Sequence, residues 1–296
     1  MQVNMHSQIG ARFKLIAHKG DGVATKETEW FNNIVLDTGL ARMSVGTWIS
    51  RCCVGTGNTT PAVTQTALAS FLASTTSINS TSTELQTTTT PYYRGVTLTW
   101  RFSEGVAAGN ISEVGMGWGN TTLWNRALVL DANGNPTTIT VLSDEYLDVV
   151  AEIREYPTLS TTGSFTLVDK LGATLSTHTY TGSTYMIAPS ATFAQITSGG
   201  LIIYSGVKND SVTASPTTSV GTVTGGSDSY PTSTSIQTVY TCALATANGT
   251  HQSFRVQMSG LLGSFYYKFQ ISPTITKTST QIMAYTAAMT WGRYTG

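Results

Sequence analysis

Charged side chains are scarce: Asp, Glu, Lys and Arg make up 11% of the 296 residues, against about 25% in ordinary soluble domains. Apolar residues reach 40% and the formal net charge is zero. A disordered chain combines low hydrophobicity with high net charge, so this composition excludes wholesale disorder. Thr, Ser and Gly replace the missing charges and are expected in ordered strands and turns. Zero net charge removes the electrostatic pull toward nucleic acid or an anionic membrane, and no nucleic-acid partner is expected.

Cysteine is nearly absent, with three residues at Cys52, Cys53 and Cys242. Neighbours in a strand point to opposite faces, so Cys52 and Cys53 are poorly placed to pair with each other. One of them reaching Cys242 would leave a thiol over; three free thiols in a reducing cytoplasm is the expectation. The opening MQVNMHSQIGARFKL lacks the apolar stretch of a secretory signal. No apolar run reaches the roughly 18 residues of a membrane-spanning helix. The chain is therefore expected to be made in the cytoplasm and to have no membrane span.

Catalytic and ligand-binding patterns are missing too. Gly55-Thr56-Gly57-Asn58 lacks the third glycine of a dinucleotide loop, and no Gly-Lys-Ser/Thr follows it. His6, His18, His178 and His251 are too widely spaced for a His-x-x-x-His metal pair and are expected to be surface or hydrogen-bonded side chains. No Gly-x-Ser-x-Gly elbow occurs. No catalytic, cofactor-binding or metal-binding residue is assigned, and the chain is read as a non-enzyme without cofactor.

What is present is period-2 alternation. Ala11–Lys19 and Val23–Phe31 flank Gly20-Asp21-Gly22, a hairpin signal. Ile34, Val35, Leu40 and Met43 fit a short helix over a sheet edge, which Gly39 weakens. Thr47–Val54 reads as a strand, Thr66–Leu72 as a short helical segment, and Thr75–Thr90 as an exposed excursion. Val96, Leu98, Trp100 and Phe102 alternate along a strand at Tyr92–Phe102. Further strands are expected at 111–118, 123–130, 137–142 and 146–156, then at 164–169, 201–205, 236–244, 252–258, 264–271 and 280–294. The predicted class is all-β, a sandwich or jelly-roll-like architecture with one or two short helices. Pro157 and the polar run after it suggest two packed β domains, 1–157 and 158–296. Residues 1–169 hold 14 acids and 10 Lys/Arg; beyond them only Asp210 and Asp228 are acidic, against six Lys/Arg.

Two groups of side chains are candidates for chemistry. Asp144, Glu145, Asp148 and Glu152 form the densest acid cluster, and a solvated sheet edge or turn explains them without catalysis. Tyr230, Tyr240, Tyr266, Tyr267, Tyr285 and Trp291 have flat rings that suit stacking on sugars, although core packing is the commoner role. Glu113, a strand acid, is a candidate to pair with Arg126 on a neighbouring strand, and a surface pair is the expectation. Gly55 and Gly57 are expected to end a strand with positive φ.

Several segments, in order, resemble a group of tailed-bacteriophage virion proteins known as tail, tail-fibre or minor structural proteins. They are Asn32-Asn33-Ile34-Val35-Leu36-Asp37-Thr38-Gly39-Leu40, Val54-Gly55-Thr56-Gly57-Asn58-Thr59-Thr60-Pro61 with Thr66-Ala67-Leu68, Ile111-Ser112-Glu113-Val114-Gly115, Leu123-Trp124-Asn125-Arg126-Ala127, and Ile139-Thr140-Val141 with Asp144-Glu145-Tyr146-Leu147-Asp148-Val149. The set covers about residues 30–157. The closing Trp291-Gly292-Arg293-Tyr294 is similar but less specific. The resemblance implies a structural subunit of the virion tail, as an appendage, fibre, collar or baseplate part, that works through protein–protein assembly. It implies a homo-oligomer, threefold if it forms an appendage, contacting other virion proteins. Two rival expectations are a receptor module that binds host-surface glycan and a capsid-associated decoration protein.

Overall fold

Alternation decides the fold. The computed structural model describes residues 1–295, and strand accounts for 56% of residues against 2% helix. In chain order the first elements are β1 (Gln2–His18), β2 (Ala24–Glu27), β3 (Phe31–Asn32), β4 (Ile34–Val35), α1 (Asp37–Arg42), β5 (Arg51–Gly55), β6 (Phe71–Thr75) and β7 (Ile78–Gln86). There follow β8 (Tyr93–Phe102), β9 (Gly109–Ile111), β10 (Glu113–Gly119), β11 (Thr122–Leu123), β12 (Asn125–Leu128), β13 (Ile139–Val141) and β14 (Tyr146–Pro157). The remainder are β15 (Thr161–Val168), β16 (Thr174–Tyr185), β17 (Thr197–Tyr204), β18 (Ser219–Thr224), β19 (Ser235–Cys242), β20 (Gly249–Ser259), β21 (Phe265–Lys277) and β22 (Met283–Arg293). The all-β expectation holds, in a sandwich-like arrangement of several packed sheets. Among the described residues no helix is long and apolar enough to cross a membrane.

The first sheet runs β19-β22-β1-β14-β8-β7, and β2 and β3 also pair with β1. The fourth runs β15-β16-β21-β20-β17-β18. Two further sheets are one ordered β4-β12-β10-β5-β6, to which β11 is added, and the pair β13-β9. β1 organises the first sheet. It pairs antiparallel with β14 over Ser7–His18 and parallel with β22 over Gln2–Ile9. The boundary expected after residue 157 coincides with the end of β14, but β19 and β22 return to complete the first sheet. One hydrophobic core runs from Val3 to Trp291 and takes residues from both sides of that point. Trp48 shows why: its indole packs on Phe193 and donates to the Ala194 and Gly260 carbonyls.

Local outcomes follow from local physics. Gly20 and Gly22 take positive φ in the β1–β2 turn, as expected. Gly39 sits inside α1 because a Cβ there would lie 2.6 Å from the Cα of Trp124. Its low helix propensity is thus accepted for close packing. The helix expected at Thr66–Leu72 is absent: residues 66–70 are bend and loop, and β6 begins at Phe71. The Ala69 and Ser70 N–H groups there bond a carboxylate from another strand. Thr75–Thr90 is exposed, as read, but it contains β7 paired to β8 over Ile78–Gln86, because β-branched threonine suits the pleat.

Candidate functional site

Three of the quoted segments, Val54–Pro61, Ile111–Gly115 and Leu123–Ala127, meet in space. Glu113 is fully buried, and so is Arg126. The Arg126 guanidinium donates to one carboxylate oxygen from Nε at 3.0 Å and Nη2 at 2.7 Å. The N–H groups of Gly57, Ala69 and Ser70 bond the same carboxylate at 3.0, 2.9 and 2.7 Å. Arg126 spends its other donors on Gln65 Oε1 and the Thr59 carbonyl. Next door, the Ser112 hydroxyl donates to the Gly57 carbonyl.

This geometry revises two expectations. The Glu113–Arg126 pair exists but lies in the interior, not at the surface, because the Gly55–Ser70 segment folds over it. Gly55 and Gly57 do not take positive φ. They are glycines because side chains would strike the buried acid: a Cβ on Gly55 would lie 2.7 Å from Glu113 Oε1. A buried charge with this many donors is an organising node.

A second cluster lies on the face of the first sheet turned away from the core. Asp144 is in a turn, paired with Lys19 at 2.6 Å. Glu145 precedes β14; hydrogen bonds from the Thr25 hydroxyl and the Leu142 N–H hold its carboxyl below the usual range. Asp148 and Glu152 do share one face, but on a central strand between β1 and β8, not on a solvated edge. Both are buried. They are neutralised across the strands, Asp148 by Arg101 at 2.7 Å and Glu152 by Arg12 and Arg154. Lys26 lies 3.4 Å from Glu145, so each of the four acids has its own cation.

Beside Glu152 is a groove of about 580 Å³, with Arg12, Arg154, Arg293, Asn32, Tyr156 and Tyr294 among its lining residues. Tyr156 and Tyr294 stack with centroids 3.6 Å apart. Arg293 donates to the Val35 carbonyl and pairs with Asp37. No sequence signal announced this groove, since its walls come from positions 12, 32, 154 and 293.

The aromatic candidates fare differently. Tyr240, Tyr267, Tyr285 and Trp291 are core residues and are closed to a sugar. Tyr230 is half-buried and donates to the Ile196 carbonyl. Tyr266 is half-buried on the outer face of the fourth sheet, where Arg255 lies 4.5 Å over its ring. His251 is buried between the Tyr285 hydroxyl and the Ala247 carbonyl. The three cysteines are free and buried. Cys52 faces the main core and Cys53 a small separate cluster, as adjacent strand residues must; burial pushes the Cys53 thiol up to about 12.

The acid-poor C-terminal region handles buried charge with carbonyls. Lys268, fully buried, donates to the Ser211 and Ala214 carbonyls, and burial lowers its ammonium to about 8. Lys277 caps the Ala243 carbonyl and Asn248 Oδ1 in the same way. Lys268 thus ties a Ser/Thr-rich loop to its sheet, and Lys277 the alanine-rich loop between β19 and β20.

No protein-family model matches the chain, and no curated protein or solved structure is significantly similar to it.

Proposed function

We propose that the chain is a structural subunit of a tailed-bacteriophage particle, tail-associated and acting through assembly with copies of itself and with other virion proteins. The observation that carries the assembly role is the open edge at β7. This nine-residue strand ends the first sheet, and seven of its residues are exposed. Its sequence, INSTSTELQ, has one charge and no proline. One register irregularity falls at its start, between Ile78 and Ser80; from Ser80 to Gln86 the edge lacks the lysine, proline or further bulge by which proteins that remain single guard such an edge. At the end of the fourth sheet, β15 (TTGSFTLV) carries no charge at all. The hairpin it forms with β16 exposes Val168, Leu171 and Leu175, apolar side chains suited to a contact between subunits.

Two unlike open edges favour head-to-tail pairing, β7 of one subunit against β15 of the next, which closes into a ring when the rotation allows. A threefold ring is the simplest such appendage. The tail assignment rests on the ordered segments quoted above. Three of those segments share the buried pair of Glu113 and Arg126.

Lysines placed on the edge test the role. In sedimentation velocity the chain should form oligomers as concentration rises, and Thr81→Lys with Thr83→Lys should return it to monomer at unchanged melting temperature. A chain that stays monomeric at high concentration, or a variant that associates like the parent, contradicts the edge.

A further inference from the structure

We propose that the groove beside Glu152 binds an anionic sugar unit, a ring carrying a carboxylate or a phosphate. The inference goes beyond the assembly role and does not depend on it. Arg12, Arg154 and Arg293 come from β1, β14 and β22, so three of the chain's 16 Lys/Arg gather in one groove. Glu152 is the one carboxylate among the lining residues, and two of those arginines already hold it. Asp37, which pairs with Arg293, is not part of the lining. Arg12 reaches Glu152 through Nε and its guanidinium lies 4.5 Å over the Trp30 ring, while its two Nη groups have no hydrogen-bond partner among the described residues. A guanidinium with free N–H groups, kept in place by a bond from its Nε, is set up to take a carboxylate or phosphate through two parallel hydrogen bonds.

The rest of the groove supplies a place for a ring. Tyr294 is half-exposed and backed by Tyr156, giving a fixed aromatic surface of the kind that stacks on an apolar sugar face. Asn32 is exposed on the wall and offers both a donor and an acceptor for hydroxyls. A volume of about 580 Å³ falls within the usual span of small-molecule sites and admits one or two sugar rings.

Isothermal titration of the 296-residue chain tests this with four probes: a glucuronate-containing tetrasaccharide, glucose 6-phosphate, a neutral gluco-oligosaccharide and inorganic phosphate. The expected result is saturable binding of at least one acidic sugar, weakened by salt. The arm that binds tells carboxylate from phosphate. The neutral sugar and free phosphate should bind at least ~10-fold more weakly, a difference of 1.4 kcal/mol. Tyr294→Ala and Arg293→Gln should each weaken binding by a similar factor. Because Arg293 also holds the Val35 carbonyl, Tyr294→Ala decides if Arg293→Gln lowers the melting temperature. No binding of either acidic sugar at millimolar concentration, equal binding of inorganic phosphate or the neutral sugar, or affinity unchanged in Tyr294→Ala would each overturn the assignment.

Discussion

Replacing Arg126 with methionine should lower the unfolding free energy by about 3–5 kcal/mol, the cost of leaving a buried carboxylate without its cation. The size follows from the surroundings of Glu113. Both partners are fully buried, so water cannot take the place of the guanidinium. The three backbone N–H groups of Gly57, Ala69 and Ser70 remain, but they carry no net charge. The loop from Gly55 to Ser70 should loosen first, because its path is fixed by those bonds. Urea unfolding followed by tryptophan fluorescence reads the loss, and hydrogen exchange at Gly57, Ala69 and Ser70 reads its location. Adding Glu113→Gln to the Arg126 variant should restore part of the stability, since the orphaned charge is then gone. A loss below about 1 kcal/mol, the scale of a surface pair, would mean that the pair is solvated.

Arg94→Met should cost a similar amount, about 3–5 kcal/mol, for a different reason. Arg94 and Glu155 are direct cross-strand partners on the core side of the first sheet, 2.7 Å apart and buried. The same guanidinium donates to the carbonyls of Ile187, Leu262 and Ser264. One side chain therefore joins the first sheet to the loops around the fourth. Removing it strands the Glu155 carboxylate, whose pKa burial already raises against the pull of Arg94, and frees three carbonyls. Because one core spans both regions, the variant should still unfold in a single calorimetric transition, shifted to lower temperature. Two separated transitions would show that the regions before and after residue 157 are independent units.

Much of the sheet content was legible because alternation is a local signal. β8 is the clearest case: Val96, Leu98, Trp100 and Phe102 are all buried on one face. β16 escaped notice because TLSTHTYTGSTY shows its pattern in threonine and histidine instead of aliphatic residues. β14 was placed along the chain but not in its sheet. Its neighbours β1 and β8 lie about 140 and 50 positions away, and nothing in Asp148 or Glu152 says whether a strand is central or at an edge. The partnership of Glu113 with Arg126 was readable from strand chemistry, whereas its depth was not, since the covering loop arrives from residues 55–70. The groove was illegible for the same reason. Arg12, Arg154 and Arg293 become neighbours only through the antiparallel pairing of β1 with β14 and the parallel pairing with β22.

The claim that this chain builds a phage tail is tested most directly by locating it in a particle. Gold-labelled antibody raised against the purified chain should be applied to intact tailed particles produced by a culture that encodes it, and imaged by negative-stain electron microscopy. The account predicts gold at the tail or its appendages in a fixed position from particle to particle, with the protein present in the purified particles in several copies. Particles that carry no label, and whose purified protein lacks the chain, would contradict a virion role; label confined to the head would contradict the tail.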